Sequence, residues 1–430
     1  MITRLTVALL VLLALSAPVG LVLYALAFGV DTFFSPFPLV RGLGTQIWSA
    51  SNSSLLIAIP FFVLLGELLV RSGVAARTYR ALDAWLSWMP GGLVHANIAT
   101  ATAFSATSGS SVATAATVAT VATPQGARLG YDPRLFAGAI AAGGTLGIMI
   151  PPSINLIVYG FLTQTSIPQL FLAGMIPGVM LALLFMAVTA VICVLRPSLG
   201  GPPQVADWPT RLRGLLDLIP IIVLFLVIVG SIYLGWATPT EAAAVGVAIA
   251  AVIAQSTGGL TRRAVAEALI GTVKVTGMIA FIIVAASYLN YTLGAAGLGR
   301  ELKALLEGLA LGPLETMLAI VLLYIVLGFF IETLSLMVAT IPIVAPVVIE
   351  LGYDPVWFGI MLILLVEMAL ITPPVGLNLF VVQAARRTAG APGGLGDVMV
   401  GAAPYALTML AMAGLLLAFE DLALWLPRQL

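Results

Sequence analysis

LGYDPRLF occupies Leu129–Phe136, and LGYDPVWF occupies Leu351–Phe358, at an offset of 222 positions (351 − 129). The same offset relates further features: Pro124 to Pro346, Pro151–Pro152 to Pro373–Pro374 and, with a shift of one residue, Asn155 to Asn378. Several aligned anchors are much harder to obtain by chance than one repeated octamer. The sequence therefore predicts two homologous halves, at residues 55–165 and 277–385.

The composition of the chain indicates a membrane protein. Of its 430 residues, 61% are hydrophobic and 8% are charged, whereas a soluble domain carries roughly 25% charged residues. We count about ten apolar stretches long enough to cross a bilayer of roughly 30 Å, besides four shorter segments. Examples are Leu5–Gly29, Leu55–Val70, Leu170–Leu195, Leu215–Leu234 and Tyr405–Leu426. An all-α polytopic membrane protein is predicted, with the N-terminal run retained as a first helix rather than removed as a signal peptide.

Other bulk features exclude several functions. The formal net charge is zero, so nothing suggests a nucleic-acid partner. Cys193 is the only cysteine and His95 the only histidine, which excludes a disulfide, a cysteine metal cluster and a multi-histidine metal site. No nucleophile–base pair typical of an enzyme is visible, and the chain is predicted not to be an enzyme.

The distribution of positive charge predicts that the two halves have opposite orientations. Cytoplasmic loops carry an excess of Lys and Arg. Arg128 immediately precedes the first octamer and Arg134 lies within it. Residues 331–383, which include the second octamer, contain no Lys or Arg. The loop Thr163–Gln169 that closes the first half is uncharged, and Arg386–Arg387 follow the second half. Only Arg300 and Lys303 conflict with this assignment.

Each half contains a segment that is too short to cross the membrane twice. In the first, two apolar arms of about 15 residues, shorter than a span, flank the sequence SGSS at Ser108–Ser111. We predict a re-entrant hairpin that turns at SGSS, and a second hairpin that turns at Ile331–Thr333. The amphipathic stretches at residues 71–88 and 297–312 precede the hairpins in register, and we expect them to be interfacial arm helices.

Five regions follow from this organisation. Residues 1–54 are predicted to be an N-terminal scaffold helix and linker, and residues 55–165 the first repeat, with a scaffold helix, arm helix, hairpin and broken helix. Residues 166–276 would be connecting scaffold helices. Residues 277–385 would be the second, inverted repeat, and residues 386–430 a C-terminal helix.

The hairpin tips and the Pro-Pro pairs suggest how such a protein could bind ions. Non-helical backbone at the membrane centre is tolerated only where it lines a site. A Pro-Pro pair removes two backbone donors and interrupts a helix, which leaves carbonyl groups free to coordinate a hard cation. The helix N-termini at the tips favour an anionic substrate. Each half therefore predicts one cation site, with a substrate between the two, as in many inverted-repeat transporters.

The chain resembles the large membrane subunit of a tripartite ATP-independent periplasmic (TRAP) transporter, within a superfamily of elevator-type ion transporters. The matching stretches are Ile59–Leu69, Phe104–Thr114, Leu129–Gly160, Ala237–Gly246 and Ile341–Phe380. The resemblance implies sodium-coupled uptake of a small organic anion, such as a carboxylate or sugar acid, across the bacterial inner membrane. It also implies a soluble periplasmic substrate-binding protein, a small four-helix membrane subunit as a separate chain, and no organic cofactor.

The same resemblance assigns site residues. The first cation site would be formed by Ser108, Ser110, Gly144, Gly147 and Pro151. The second would be formed by Glu332, Ala369, Thr372 and Val375, with the two apolar residues acting through their carbonyls. Substrate would lie near Ser111, Asn155, Thr333 and Asn378. The sequence departs from the family pattern in three places: Ala113–Thr114 replaces Ala-Asp, Glu332 replaces Asp, and Ala369 replaces Gly.

Several alternatives remain open from the sequence. Glu241 follows Thr238-Pro239-Thr240 and is better explained as part of a capping box at a helix start. Glu67 and Glu367 lie in apolar runs, where an acid suggests function, but structural pairing explains them equally well. His95 is expected to be interfacial. For the whole chain, a stand-alone ion-coupled carboxylate carrier or antiporter of the same fold is the alternative function.

Overall fold

The computed structural model describes residues 2–15, 17–35, 37–202, 206–298, 301, 312–329 and 331–429. Across these residues the secondary structure is helical, with no strand. The described helices, in chain order, are α1 (Ile2–Ala14), α2 (Val19–Phe34), α3 (Leu43–Ser51), α4 (Ser54–Arg71), α5 (Val74–Leu86), α6 (Leu93–Ser108), α7 (Ser111–Arg128), α8 (Pro133–Met149), α9 (Ile154–Thr163), α10 (Ile167–Leu195), α11 (Trp208–Tyr233), α12 (Pro239–Ser256), α13 (Arg262–Ala295), α14 (Pro313–Gly328), α15 (Thr333–Glu350), α16 (Pro355–Ala369), α17 (Leu377–Thr388), α18 (Leu395–Ala418) and α19 (Asp421–Leu424).

Among these helices, six are long and apolar enough to cross a membrane: α10, α11, α12, α13, α15 and α18. The number rises to eight if two bent pairs are each counted as one span; α8 and α9 meet at 42°, and residues 39–51 meet α4 at 49°. Within the described residues this is fewer than the predicted count of about ten, because several apolar stretches are divided into shorter helices such as α2, α14 and α16. Most of the second predicted arm helix, at 297–312, lies outside the described residues.

The predicted first helix over Leu5–Gly29 is wrong in detail, because this run forms two helices, α1 and α2. Pro18 stands immediately before α2. Proline lacks a backbone N–H and disfavours helical backbone in the residue before it. The predicted apolar stretch Tyr405–Leu426 is likewise not one continuous helix, since α18 ends at Ala418.

The repeated octamer is a helix stop followed directly by a helix start. Gly130 and Gly352 adopt left-handed backbone angles, with φ of 71° and 90°, as they end α7 and α15. Two residues later, Asp132 and Asp354 each accept hydrogen bonds from two backbone N–H groups of the next helix, and the proline after each aspartate is its first residue. The sequence is repeated because both halves need the same turn.

The two halves agree closely in their helix boundaries. Helices α7 and α15 are both 18 residues long, and their first and last residues are related by the offset of 222. Hairpin 1, formed by α6 and α7, turns at Gly109, where φ is 57°. Hairpin 2 is formed by α14 and α15. The predicted broken helices are also present: α8 and α9 are separated by residues 150–153, and α16 and α17 by residues 370–376.

Helix α18 shows that the two halves are inverted. Near its start, Asp397 accepts a hydrogen bond from Arg134, in the first octamer, at 3.1 Å. Near its end, the Leu416 carbonyl accepts a hydrogen bond from the indole N–H of Trp357, in the second octamer, at 3.0 Å. The nineteen residue steps from Asp397 to Leu416 span about 29 Å at 1.5 Å per step. The octamers therefore lie at opposite ends of one helix, as the charge pattern predicted.

Helices α8 and α16, the first halves of the broken helices, form the centre of the packing. All residues from Leu135 to Met149 and from Val356 to Ala369 are buried. Glycines let α8 approach α18 closely: a methyl group on Gly401 would lie 1.8 Å from the Arg134 carbonyl oxygen. Small residues at such crossings allow backbones to pack in contact, which drives helix association in membranes.

Candidate functional site at the hairpin tips

Both hairpin tips open into one cavity. Its volume is about 210 Å³, and its walls are formed by the tips, by residues on either side of the first helix break, by Leu370 of the second break and by α13. The polar lining residues are Ser110 and Ser111 of tip 1, Asn155 just after the first break, and Glu332 and Thr333 of tip 2. We call it the tip cavity. Three helices begin at its wall, namely α7, α9 and α15, so that three positive helix ends lie beside it.

Tip 1, Ser108–Ser111, has three serines with three different partners. The Ser108 hydroxyl lies 2.6 Å from the Thr114 hydroxyl. The Ser110 side chain caps α7 by accepting a hydrogen bond from the Ala113 N–H at 3.4 Å. The Ser111 hydroxyl donates a hydrogen bond to the carboxylate of Glu367, 256 residues away. No hydrogen bond among the residues that the structure describes joins the Thr114 hydroxyl to the preceding turn, whereas the Thr120 hydroxyl donates to the Ala116 carbonyl.

Two glycines of α8 allow tip 1 to lie directly on the broken helix. A methyl group on Gly147 would come within 2.9 Å of the Ser110 carbonyl oxygen. One on Gly144 would come within 3.1 Å of the Ser111 carbonyl oxygen. The structure thus brings Ser110, Gly144 and Gly147, three of the five predicted first-site ligands, into close proximity.

The other two predicted first-site residues flank this cluster. A methyl group on Gly66 of α4 would lie 2.9 Å from the Ser108 carbonyl oxygen, so Ser108 packs towards α4. Pro151 is buried in the first break. The carbonyl of the next residue, Pro152, faces tip 1, at 3.4 Å from where a methyl group on Gly109 would be. Backbone carbonyls of the tip and of the break therefore lie near each other.

The predicted second cation site is more open. Glu332 caps α15, where its carboxylate accepts hydrogen bonds from the N–H groups of Leu334 at 3.1 Å and Ser335 at 3.0 Å. Ala369 packs against Gly328 at the end of α14, where a methyl group on the glycine would lie 2.3 Å from the alanine methyl.

The remaining two predicted ligands of the second site are not joined to tip 2. Thr372 donates a hydrogen bond to the Met368 carbonyl at 2.7 Å. Val375 is 41% exposed. Among the hydrogen bonds of the described residues, none joins Thr372 or Val375 to Glu332. The structure therefore does not assemble this group as it does the first.

The four predicted substrate residues have unequal surroundings. Asn155 and Thr333 are buried, line the tip cavity, and have polar side-chain atoms without a hydrogen-bond partner, namely Nδ2 and Oγ1. Ser111 also lines the cavity. Asn378 lies behind the cavity wall and donates a hydrogen bond to the Ala141 carbonyl at 3.2 Å, while its Oδ1 has no partner. Two of the four lining or neighbouring residues, Asn155 and Thr333, thus combine a place in the cavity wall with a buried hydrogen-bonding group that has no partner.

Glu367 belongs to this site although the sequence left its role open. It is fully buried, and of its two carboxylate oxygens one accepts from Ser111 and the other has no partner. Glu67, the comparable acid of the first half, instead forms an ion pair with Arg71 on its own helix. The signal in the sequence was the presence of an acid within an apolar helix, which does not by itself distinguish the two cases.

Two further expectations can be compared with the structure. The capping box at Glu241 is confirmed: the Thr238 N–H donates to the Glu241 carboxylate at 2.8 Å, and the Glu241 N–H donates to the Thr238 hydroxyl. His95, which was expected to be interfacial, has a side chain that is buried within the protein at the start of hairpin 1, and its Nε2 lies 2.8 Å from the Pro90 carbonyl oxygen.

The architecture places the chain in a class of membrane transport proteins. Two inverted repeats, each with a hairpin and a broken helix around a shared cavity, are the arrangement of many secondary transporters. A solved structure, that of the Alcanivorax borkumensis YdaH transporter, has a similar fold, with a TM-score of 0.58 over 94% of this chain and 98% of that one, at 16% identity.

The family is shown by sequence comparison. A family model described as "Tripartite ATP-independent periplasmic transporter, DctM component" matches residues 6–422. The chain belongs to this family of TRAP transporter large permeases. It is 34% identical over 404 residues to the C4-dicarboxylate TRAP transporter large permease protein of Pseudomonas aeruginosa, covering 92% of this chain and 91% of the relative.

Other relatives are named for different substrates. The sialic acid TRAP transporter large permease of Vibrio cholerae is 31% identical and covers 97% of this chain and 96% of its own. The ectoine/5-hydroxyectoine TRAP transporter large permease of Ruegeria pomeroyi is 29% identical, with the same two coverages. All three relatives are transport permeases rather than enzymes.

Proposed function

We propose that this chain is the permease subunit through which a sodium gradient drives uptake of a small organic anion across a bacterial inner membrane. A periplasmic binding protein would deliver the substrate, and a small four-helix membrane subunit would brace the scaffold. Family membership supports both partners. The observation that carries the proposal is the tip cavity, where both hairpin tips meet the helix ends beside the first break and the start of the second break.

Sodium is the coupling ion that best suits tip 1. A hard cation of this kind is bound by oxygen ligands. Around tip 1 the chain offers the Ser108 and Ser110 hydroxyls and the carbonyls of the tip and of the first break, without a fixed charge among them. The close approach of Gly144 and Gly147 lets backbone oxygens gather there. Glu332, Ala369, Thr372 and Val375 would complete the second site after hairpin 2 moves closer to its break.

The substrate would bind in the tip cavity by hydrogen bonds and helix dipoles rather than by an ion pair. The lining includes no Lys, Arg or His. The free Asn155 Nδ2 and Thr333 hydroxyl can donate to a carboxylate, and the helix N-termini add positive potential. Bound sodium would add the missing positive charge, so substrate and ion would favour each other's binding. The relatives' substrates, C4-dicarboxylates, sialic acid and ectoine, all carry carboxylates.

An elevator movement would carry this site across the membrane. The two hairpins and two broken helices share buried contacts, such as those of Ser111 with Glu367 and of Asn378 with Ala141, and would move as one body. Helix α13 lines the cavity from the scaffold side with Val275, Met278 and Ile279. These apolar side chains form a smooth surface against which the tips can slide, because they make no hydrogen bonds that would have to break.

The alternative is a stand-alone ion-coupled carboxylate carrier or antiporter of the same fold. One assay separates the two functions. The chain, co-purified with its small subunit, is reconstituted in proteoliposomes, and uptake of radiolabelled succinate, sialic acid and ectoine is measured with and without the cognate binding protein. Uptake that requires both an inward sodium gradient and the binding protein supports the proposal. Uptake by the chain alone, or uptake indifferent to sodium, would favour the stand-alone carrier.

A further inference from the structure

A second cavity lies between α3, the end of α9 and α13, outside the tip site. Its volume is about 580 Å³. Its polar lining residues are Gln46, Ser49 and Ser53 from α3 and its end, Gln164 from the end of α9, and Ser287 and Asn290 from α13. We call it the outer polar cavity. One of its walls is formed by α3 and α13, which belong to the proposed scaffold. The other is formed by the end of α9, which belongs to the proposed moving body of hairpins and broken helices.

The outer polar cavity faces the external side of the membrane. Helix α13 begins with Arg262 and Arg263 and runs to Ala295, so its basic start is cytoplasmic and its far end external. The cavity is lined by residues 287–291 near that far end. The end of α9 leads into the uncharged loop Thr163–Gln169, which the charge pattern also assigns to the external side.

The chemistry of the lining is polar but uncharged. No Lys, Arg, Asp or Glu contributes to it. Ser287 and Asn290 are uncharged polar residues in the part of α13 that follows Lys274. In the described part of the chain, the side chains of Gln46, Ser49 and Asn290 make no hydrogen bond. They are therefore available to a ligand rather than occupied by the protein.

The outer polar cavity and the tip cavity are stacked along the same two helices. Helix α13 lines the tip cavity with Met278 and the outer one with Asn290, which are separated by about 18 Å at 1.5 Å per residue. Helix α9 lines the tip cavity with Asn155 and the outer one with Gln164, about 13 Å apart on the same scale. The two cavities therefore follow one another along the same pair of helices.

We propose that the outer polar cavity is a staging site that receives the transported organic acid from the external side before it enters the tip cavity. This inference rests on the proposed uptake function. Amide and hydroxyl groups bind the carboxylate and hydroxyl groups of the acid by hydrogen bonds. The absence of charge from the lining keeps that binding weak, and a transit site must release its ligand as readily as it takes it.

Cysteine labelling tests this site directly. The native Cys193 is buried, so an introduced cysteine is the reactive one. Asn290→Cys and Ser287→Cys variants of the full chain, with its small subunit, are exposed in right-side-out vesicles to a membrane-impermeant maleimide. Succinate, sialic acid or ectoine is added at millimolar concentration. One of these acids should slow labelling by about tenfold at ten times its dissociation constant. Asn52→Cys is the matched control, because Asn52 is exposed at the end of α3 but outside the lining, and its labelling should not change.

Two results would overturn the staging site: no labelling of either cysteine from outside, or labelling that none of the three acids slows. A kinetic variant adds an independent measure. Asn290→Leu should raise the apparent KM for uptake several-fold and leave the maximal rate unchanged, while Asn290→Gln retains the wild-type KM. Because labelling needs no sodium gradient, sodium-independent uptake would refute the proposed coupling without affecting the labelling result.

Discussion

Ser111 at tip 1 donates a hydrogen bond to Glu367, which lies 256 residues away on the first part of the opposite half's broken helix. Both side chains are buried, at 1% and 0% exposure. The bond joins the tip of one inverted repeat to the core helix of the other. Ser110 of the first predicted cation site is next to Ser111, and Ala369 of the second is two residues after Glu367. The Ser111–Glu367 hydrogen bond therefore also connects the two predicted cation sites.

Removing the donor should destabilise the permease. Ser111→Ala leaves the buried Glu367 carboxyl without a hydrogen-bond donor among the described residues, and such a loss costs about 1–3 kcal/mol. The thermal midpoint of the purified complex should fall accordingly. Ser111→Thr keeps the hydroxyl and should remain close to wild type. An alanine variant as stable as the wild type would mean that the bond contributes nothing.

Space at Gly147 should be needed for sodium binding. The methyl group of Gly147→Ala would lie 2.9 Å from the Ser110 carbonyl oxygen, so tip 1 must move away from α8. A loss of about 1.4 kcal/mol in ion binding raises the half-saturating sodium concentration tenfold. We expect an increase of at least this size, measured as sodium-dependent thermal stabilisation.

Gly414→Ala is the matched control for this substitution. Gly414 lies within α18 and a methyl group there would have no neighbour within 4 Å. Alanine at an open helical position is favourable by up to about 1 kcal/mol. Sodium binding by this variant should equal that of the wild type, and an equal loss in both variants would assign the effect to helix propensity rather than to tip 1.

Local features of the fold could be predicted from the sequence. The octamers combine a glycine stop with an Asp-Pro start, and both signals act within a few residues. The offset of 222 then predicted the hairpin and the helix break of the second half from those of the first. The capping box at Thr238–Glu241 is local in the same way. Pro18 shows the limit, because an apolar run was given more weight than a proline that divides it.

Contacts between the halves could not be predicted. No periodicity relates Ser111 to Glu367, since each belongs to a different helix pair and only the packing of α8 against both α7 and α16 brings them together. Glu67 and Glu367 look alike in sequence, but one has an arginine four residues later and the other has none. His95 lies beside a predicted boundary, and its burial depends on how hairpin 1 packs.

The two repeat-related asparagines should respond differently to truncation. Asn155→Ala removes a side chain that lines the tip cavity and whose Nδ2 has no partner, so it should raise KM for the transported acid with little change in stability. Asn378→Ala removes a donor to the Ala141 carbonyl, which should cost about 1 kcal/mol of stability. Uptake kinetics and thermal midpoints of both variants measure the difference. Equal stability losses would indicate that Asn155 is a packing residue.

Inverted orientation can be tested at two equivalent positions. Arg128 and Glu350 are the last residues of α7 and α15, are related by the offset of 222, and are both exposed. With Cys193 buried, Arg128→Cys and Glu350→Cys each present one accessible thiol. An impermeant maleimide added to right-side-out vesicles should label Glu350→Cys at once, and Arg128→Cys only after permeabilisation, because Arg128 follows the cytoplasmic charge bias. Labelling of both from the same side would contradict the inversion, since the bonds of Arg134 and Trp357 to opposite ends of α18 require the two octamers to lie on opposite faces.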